Sequence, residues 1–229
     1  YLLKKQNSQI TDLRREVMEL KASSDGIIDG IRKTNKKSAY APANFEGSAF
    51  ALNNKGYIVT SFHMVNGADS IFVQNAQTER SLTKLIFCDP KLDIAVLRLE
   101  NDAIYKTWQV PFTFKEKPAD IGEKVFTLGY PRNDVVYGEG ALSSLSGYSN
   151  DTSIYQVSIP VNPGNSGGPL LDENGNIIGV IRGKISSAEG TSFAIKSEQI
   201  LRSIQATAAE DEKSDLLSNT SRKSGLKSL

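Results

Sequence analysis

The chain is short of the residues that cross-link a fold or bind metals, since it contains one cysteine and one histidine among 229 residues. A single thiol cannot form an internal disulfide, and these two side chains cannot supply the ligand set of a zinc site. The formal net charge of only +1 argues against nucleic acid as the main partner. No run of about 18 apolar residues is present to span a membrane. We therefore predict a globular protein without metal or cofactor.

The one cysteine, Cys88, directly follows the apolar residues Leu85, Ile86 and Phe87. A free cysteine in such a run usually behaves as a small apolar side chain that packs in the core. We therefore expect Cys88 to be a buried thiol and not a nucleophile.

Residues 161–170, with the sequence VNPGNSGGPL, surround Ser166 with glycines. Glycine adopts positive φ and lets the backbone approach a ligand closely. Such a loop can direct backbone N–H groups at one point, which predicts an oxyanion hole formed by Gly164, Asn165 and Ser166. The same residue types are also those of an ordinary turn between strands, so this loop alone does not predict chemistry.

Two other residues supply what a reactive serine needs. The only histidine, His63, follows an apolar and β-branched run at residues 57–62, and Asp93 is the last acid before the apolar run 94–99. A serine becomes a nucleophile when a base accepts its proton and a third group orients that base. The pattern therefore predicts a catalytic set of His63, Asp93 and Ser166.

Three motifs at this order and spacing are similar to those of the trypsin-like serine peptidases, and most of all to the HtrA (Deg) branch. They are TSFHMVNGA at 60–68, DIAVL at 93–97 and NPGNSGGP at 162–169, with weaker similarity at 46–50, 128–131 and 191–195. The resemblance covers about residues 44 to 205. It implies hydrolysis of a polypeptide substrate through an acyl-enzyme, and a location in the bacterial cell envelope. Members of this branch usually carry a PDZ domain, for which the residues after the predicted protease domain are too few and too polar.

Short apolar runs separated by glycine and asparagine turns predict an all-β protein. We predict strands near residues 46–52, 56–61, 69–74, 81–87, 93–99, 124–128, 136–145, 153–159, 169–171, 176–184 and 191–195. The resemblance implies two six-stranded β-barrels of the trypsin-like (chymotrypsin) fold, with His63 and Asp93 in the first and Ser166 in the second. Residues 197–204 have the spacing of a short closing helix. The predicted protease domain is 44–207, and the polar residues 208–229 predict a disordered tail.

Residues 1–33 differ from the rest because apolar residues recur there on a heptad spacing: Leu3, Ile10, Val17 and Ile31, with Leu13, Leu20 and Ile27 between them. This seam predicts an amphipathic helix that forms a coiled coil, and so a homo-oligomer such as a dimer or trimer. The alternative is a helix that packs on its own protease domain. Residues 34–43 read as a polar linker. The chain lacks an initiator methionine and a signal peptide, which suggests a fragment or processed chain, with a membrane anchor upstream as a hypothesis.

Substrate preference is predicted from two segments. Relatives that cleave after lysine or arginine have an acid shortly before the serine, whereas the corresponding residues 159–162 contain none. We predict that the residues which bind the substrate are Val161, Asn162, Val180, Ile181, Arg182 and Gly183, with 180–183 as an edge strand that pairs with the substrate backbone. The pocket should accept small or medium aliphatic side chains. Two alternatives are an inactive scaffold with the same fold, and an unrelated esterase, whose residue order would be serine, acid, histidine.

Overall fold

The computed structural model describes residues 46–74, 80–106, 108–115, 117–131, 134–184 and 191–218. The predicted N-terminal helix at 1–33, the predicted linker at 34–43 and the final part of the predicted tail at 219–229 lie outside these residues. The domain boundaries that we assigned from the sequence therefore stay predictions. The described residues are mostly β, with eleven strands and few helices, which confirms the predicted all-β class.

The first half of the described chain forms a five-stranded antiparallel sheet. Its strands are β1 (Phe50–Ala51), β2 (Tyr57–Ser61), β3 (Ile71–Val73), β4 (Ser81–Asp89) and β5 (Ile94–Leu99), in the order β1-β2-β5-β4-β3. The apolar run of β5 is almost wholly buried because β2 and β4 flank the strand on both sides. Within the described residues this sheet has one strand fewer than the six-stranded barrel that the resemblance implied.

The second half forms a closed six-stranded barrel, as expected. Its strands are β6 (Lys124–Gly129), β7 (Val136–Ser144), β8 (Ile154–Val157), β9 (Pro169–Asp172), β10 (Ile177–Lys184) and β11 (Ser192–Lys196). The order is β10-β11-β8-β7-β6-β9, and pairing of β9 with β10 closes the barrel. Side chains such as Leu142, Tyr155, Leu170 and Ile178 fill its interior.

A second core lies between the sheet and the barrel. It joins Phe50, Val59 and Val96 of the sheet to barrel residues such as Ile177 and Val180. Burial of this shared apolar surface holds the two halves together. The loop after β2 carries the predicted base, and the loop before β9 carries the predicted nucleophile. The shared core therefore holds these two loops in one fixed arrangement.

Three α-helices and two short 3₁₀ helices complete the described chain, and the α-helices are α1 (Asp102–Tyr105), α2 (Ser197–Thr207) and α3 (Glu210–Leu216). Helix α2 confirms the predicted closing helix, and it buries Ile200 and Ile204, which lie one turn apart. The predicted disordered tail is wrong for residues 208–218. Leu216 of α3 is fully buried in the shared core, and the carbonyl of Asp215 accepts a hydrogen bond of 2.8 Å from Asn53.

The prediction of a buried Cys88 is also wrong, because this thiol is exposed on β4. Successive side chains of a strand point to opposite faces. Phe87 points into the shared core, and so Cys88 points to the solvent. A register shift between Leu85 and Phe87 interrupts the strand pairing here, and it leaves Leu85 exposed as well.

Candidate active site

The loop before β9 begins with a tight turn at residues 162–165. The N–H of Asn165 donates to the carbonyl of Asn162 at 3.0 Å, and Gly164 has a φ of +96°. Proline at the second position and a positive φ at the third position are the features of a type II turn. An added Cβ on Gly164 would lie 2.5 Å from the Cα of Pro131, so the position has room only for glycine.

A second turn follows directly and carries the serine. The N–H of Gly168 donates to the carbonyl of Asn165 at 3.0 Å, and Gly167 has a φ of +86°. Ile181 of β10 exchanges two hydrogen bonds of 2.8 Å with Gly167 and Gly168, which attach the loop to the barrel. Backbone contacts on both sides thus fix the main chain at Ser166.

The two turns leave the N–H groups of Gly164 and Ser166 as candidate oxyanion donors. Within the part of the chain that the structure describes, neither N–H donates to another group. The N–H of Asn165, in contrast, is taken by the carbonyl of Asn162. The predicted set of three oxyanion residues therefore reduces to two donors, with Asn165 acting as part of the turn.

His63 lies in a short 3₁₀ helix, Phe62–Met64, which begins directly after β2. Its ring Nδ1 lies 2.7 Å from Oδ2 of Asp93, and its backbone N–H donates to Oδ1 of the same carboxylate at 2.8 Å. One carboxylate therefore fixes both the ring and the main chain of His63. With Nδ1–H donating to Asp93, Nε2 is the nitrogen that can accept a proton.

Asp93 has an unusual backbone for a residue with a side chain, with a φ of +63°. Aspartate is among the few residues that tolerate this left-handed conformation. Its carbonyl also accepts the N–H of Phe62 at 3.1 Å, so the two loops are joined by backbone as well as by side chain. Asp93 is buried, and its carboxylate is directed at His63.

Ser166 is not hydrogen-bonded to His63 in the described residues. Its Oγ instead lies 3.4 Å from the carbonyl of Arg182 on β10, a distance at the weak end for a hydroxyl donor. Rotation about the Cα–Cβ bond moves a serine hydroxyl between staggered positions at low cost. The structure thus brings His63 and Asp93 together, and it places the Ser166 hydroxyl at β10.

The predicted substrate-binding residues divide into two groups. Val161 is buried in the barrel core, and Val180 and Ile181 are buried and hydrogen-bonded on both sides, so these three do not offer their backbone or side chain to a substrate as predicted. Asn162 is exposed, and Arg182 and Gly183 are half-buried. Among the described residues, no strand pairs with Arg182 or Gly183 on the side facing Ser166.

The bulge in β10 explains this division. The pairing of β10 with β11 shifts its register between Ile181 and Gly183, which makes Arg182 an extra residue in its strand. Gly183 has a φ of +102°, and an added Cβ there would lie 2.9 Å from Oγ of Ser166. The backbone that follows the bulge therefore lies directly beside the serine.

Sequence reasoning missed one residue at this site, Ser48. The stretch 46–50 contributed to the resemblance, but it suggested no role for this serine. Ser48 is buried, and it forms hydrogen bonds to both Gly164 and Ser166. A small polar residue next to β1 carries no sequence signal that would place it beside a loop more than a hundred positions away.

The described residues contain neither a cluster of metal-binding side chains nor a membrane-spanning helix. No group of three or more histidine, cysteine, aspartate or glutamate side chains is arranged to hold a metal ion there. Nor is any helix of the described chain both long enough and apolar enough to cross a membrane.

Comparisons with known proteins confirm the predicted trypsin-like fold. Residues 47–180 match the family described as trypsin-like peptidase domain. A probable periplasmic serine endoprotease DegP-like from Hahella chejuensis is 35% identical over 67% of this chain and 33% of its own length. The serine protease Do-like HtrA of Bacillus subtilis is 31% identical over 80% of this chain and 43% of its own length. The chain thus spans less than half of these curated relatives.

A solved structure is similar as well. The serine endoprotease from Yersinia pestis superposes with a TM-score of 0.62 and 27% identity, over 72% of this chain and 58% of that one.

Proposed function

Since the chain belongs to the trypsin-like peptidase family and is similar to its HtrA/Deg-like members, we propose that it is a serine endopeptidase that hydrolyses proteins. The observation that carries the proposal is the pair of hydrogen bonds from His63 to the Asp93 carboxylate, in the same fold as a glycine-rich loop around Ser166. Acyl transfer requires these three components, a base, its orienting acid and a hydroxyl beside free N–H groups.

In the proposed reaction, the Ser166 hydroxyl leaves the Arg182 carbonyl by a rotation of its side chain and turns to Nε2 of His63. Catalytic hydrogen bonds are often long in a free enzyme and tighten when the substrate binds. His63 then accepts the serine proton as Oγ forms a bond to the substrate carbonyl carbon. It returns the proton to the leaving amine, and a water molecule later hydrolyses the acyl-enzyme. Asp93 holds the ring and stabilises its protonated form.

The N–H groups of Gly164 and Ser166 would bind the negative oxygen of the tetrahedral intermediate. Fixed donors of this kind act without reorganising when the charge develops, and one donor contributes on the order of 3 kcal/mol. The type II turn supports this role, because it holds the Gly164 backbone at a positive φ.

We propose that the substrate backbone lies along Arg182 and Gly183, which no other strand occupies on the side of Ser166 in the described chain. The pocket beside them has no acid in residues 159–162, and so it should accept small or medium aliphatic side chains. The positive charge of Arg182 lies close to this path.

The cell envelope is the proposed location, by similarity to relatives described as periplasmic. Assembly into a dimer or trimer through a helix at 1–33 stays a prediction, as does a membrane anchor before Tyr1, since both concern regions outside the described residues. Size measurement of the full chain, and of a variant that lacks residues 1–33, tests assembly independently of activity.

The experiment that tests the activity combines labelling with kinetics. A fluorophosphonate probe should attach to Ser166, as mapped by mass spectrometry, and the protein should cleave a fluorogenic peptide with an aliphatic residue before the scissile bond. We expect Ser166→Ala and His63→Ala each to lower kcat by about 10⁴ to 10⁶, and the double variant to be little worse, because the two groups act as one unit.

Two outcomes would reject the proposal. Absence of labelling in a folded protein would favour the inactive scaffold, which has the same fold without chemistry. Losses of kcat that add up in the double variant would mean that Ser166 and His63 act independently. A cleavage profile dominated by lysine or arginine would overturn only the prediction of an aliphatic pocket.

A further inference from the structure

Ser48 is a buried residue that connects the sheet to the serine loop. It lies just before β1 and is only 2% exposed. Its hydroxyl donates to the carbonyl of Gly164 at 2.6 Å and accepts the N–H of Tyr130 at 2.8 Å. Its backbone N–H donates to the carbonyl of Ser166 at 2.9 Å, and its own carbonyl accepts the Thr60 hydroxyl at 2.9 Å.

These contacts fix the peptide groups on either side of the candidate nucleophile. The carbonyl of Gly164 belongs to the peptide before Asn165, and the carbonyl of Ser166 belongs to the peptide after the serine. With both carbonyls directed at Ser48, the backbone between them has little freedom to rotate. The peptide 165–166, which carries the N–H of Ser166, lies between these two held peptides.

The hydroxyl of Ser48 also holds one end of the turn at 162–165. Type I and type II turns differ by a rotation of the central peptide, here 163–164, and only type II requires a positive φ at the third residue, Gly164. The carbonyl that Ser48 holds at 2.6 Å belongs to the next peptide, 164–165, and its release without a new donor costs free energy. The Ser48 contact therefore fixes the peptide that follows Gly164, while the positive φ of Gly164 keeps the turn in the type II form, in which its N–H is available.

We propose that Ser48 is a positioning residue for the oxyanion hole. It acts through Gly164 and Ser166 and touches no reacting atom, and the inference rests on the proposed serine endopeptidase function. Ser48 precedes β1, which pairs with β2, and β2 leads directly into His63. One residue therefore sets the position of the oxyanion donors relative to the sheet that carries the base.

The test compares two buried hydroxyl groups of this chain. Ser48→Ala should lower kcat for a peptide amide about 10-fold to 100-fold and change KM by less than about 3-fold, because the oxyanion forms only after binding. Thr83→Val is the control. The Thr83 hydroxyl donates to the carbonyl of Ile71 at 3.0 Å, and Thr83 is buried on β4, which pairs with β3 and β5. The control also removes the hydrogen bond of a buried hydroxyl, and it should keep kcat.

A second measurement separates positioning from general damage. A peptidyl boronic acid forms a tetrahedral adduct with the serine and places an oxygen in the oxyanion hole, whereas the matching product peptide does not. Ser48→Ala should lower the affinity for the boronic acid by the same factor as it lowers kcat, and it should leave the affinity for the product peptide unchanged. Thr83→Val should alter neither affinity.

Gly129→Ala provides a variant that retains the Ser48 hydroxyl. Its added Cβ would lie 2.8 Å from Oγ of Ser48, which would displace the hydroxyl from Gly164. We expect a similar loss of kcat and of boronic acid affinity, which keeps the inference testable if Ser48→Ala does not fold. If both variants fold and retain kcat while the parent protein is active, the role of Ser48 is wrong. If the parent protein itself neither cleaves nor binds the boronic acid, the proposed function is wrong.

Discussion

In the five-stranded sheet, His63 is held by a side chain, because the carboxylate of Asp93 binds both its ring and its backbone N–H. In the closed barrel, Ser166 is held by the main chain, through two turns and the hydrogen bonds of Ile181 to the loop. The side chain of Ser166 is itself loosely placed, with one contact of 3.4 Å. The half that carries the base is therefore set by one charged group, and the half that carries the nucleophile is set by backbone conformation and by uncharged hydrogen bonds such as that of Ser48 to Gly164.

The two halves are therefore sensitive to different kinds of substitution. A carboxylate that donates no proton and accepts two hydrogen bonds loses its function when it becomes an amide of the same shape. A loop built on positive φ tolerates changes of its side chains, but it cannot accept an added Cβ at Gly164 or Gly167. Conservative substitutions should thus break the first half, and glycine-to-alanine changes should break the second.

Among the changes that test this comparison, the largest effect is expected from Asp93→Asn, which removes the charge and keeps the shape. The amide oxygen of the asparagine can still accept the backbone N–H of His63, and its NH₂ group then faces the ring. This NH₂ group donates to Nδ1, so the ring proton moves to Nε2, which must be unprotonated to act as the base. We expect kcat to fall about 10³-fold to 10⁴-fold with little change in fold, because asparagine also tolerates positive φ.

The control for this change is Asp89→Asn, four residues earlier. The Asp89 carboxylate accepts the N–H groups of Lys91 and Leu92 at 3.0 Å, and it does not contact His63. The substitution Asp89→Asn should leave kcat near that of the parent protein on the same fluorogenic peptide. An Asp93→Asn variant that retains a tenth of the parent activity would contradict the view that one carboxylate sets the base.

Gly164→Ala tests the backbone half and should have the next largest effect. The added Cβ would lie 2.5 Å from Cα of Pro131, and the residue would resist the φ of +96°. We expect kcat to fall about 10²-fold to 10³-fold as the Gly164 N–H turns away from the oxyanion. Gly175→Ala is the matched control, since Gly175 has a φ of +75° with no atom within 4 Å of an added Cβ. Equal losses of kcat in both variants would show that strain alone, and not the oxyanion hole, reduces activity.

Much of this comparison was predictable from the sequence because it depends on local patterns. The run after Asp93 is apolar and β-branched, and it forms the buried strand β5. The glycines around Ser166 predicted turns, and the structure has turns at those positions. The loops that carry the candidate residues were therefore located from residue types and order alone.

Apart from Cys88, which the alternation of β4 turns to the solvent, the errors involve contacts between distant segments. The burial of Leu216 depends on a shared core that forms only when sheet and barrel pack, so a polar sequence with one leucine suggested disorder. Ile181 seemed to belong to an open edge, yet the serine loop occupies that edge through Gly167 and Gly168. Ser48 acts across 116 positions of the chain, a distance at which no local pattern gives a signal.

The smallest effect on kcat should come from Asp172→Asn. This substitution tests whether the serine loop of the barrel half also depends on a carboxylate. Asp172 ends β9 and is buried, and its Oδ1 accepts the backbone N–H groups of Asn174 at 3.0 Å and Asn176 at 2.8 Å. Burial raises the pKa of Asp172, but hydrogen bonds from Asn176 and the charge of Lys115 outweigh it, so the pKa lies below its ordinary value.

A lowered pKa means that the charged carboxylate stabilises the fold at neutral pH, and that this stability is lost as the pH falls below the ordinary aspartate range. Asp172→Asn should therefore cost about 1–3 kcal/mol of unfolding free energy at pH 7, and less as the medium becomes acidic. Denaturant unfolding at several pH values measures this, with kcat on the same samples. If kcat falls as far as in Gly164→Ala, the serine loop also depends on a carboxylate, and the contrast between the two halves is wrong. A stability loss with unchanged kcat would restrict the role of Asp172 to the turn at 172–176, and would leave the serine loop independent of any carboxylate in β9.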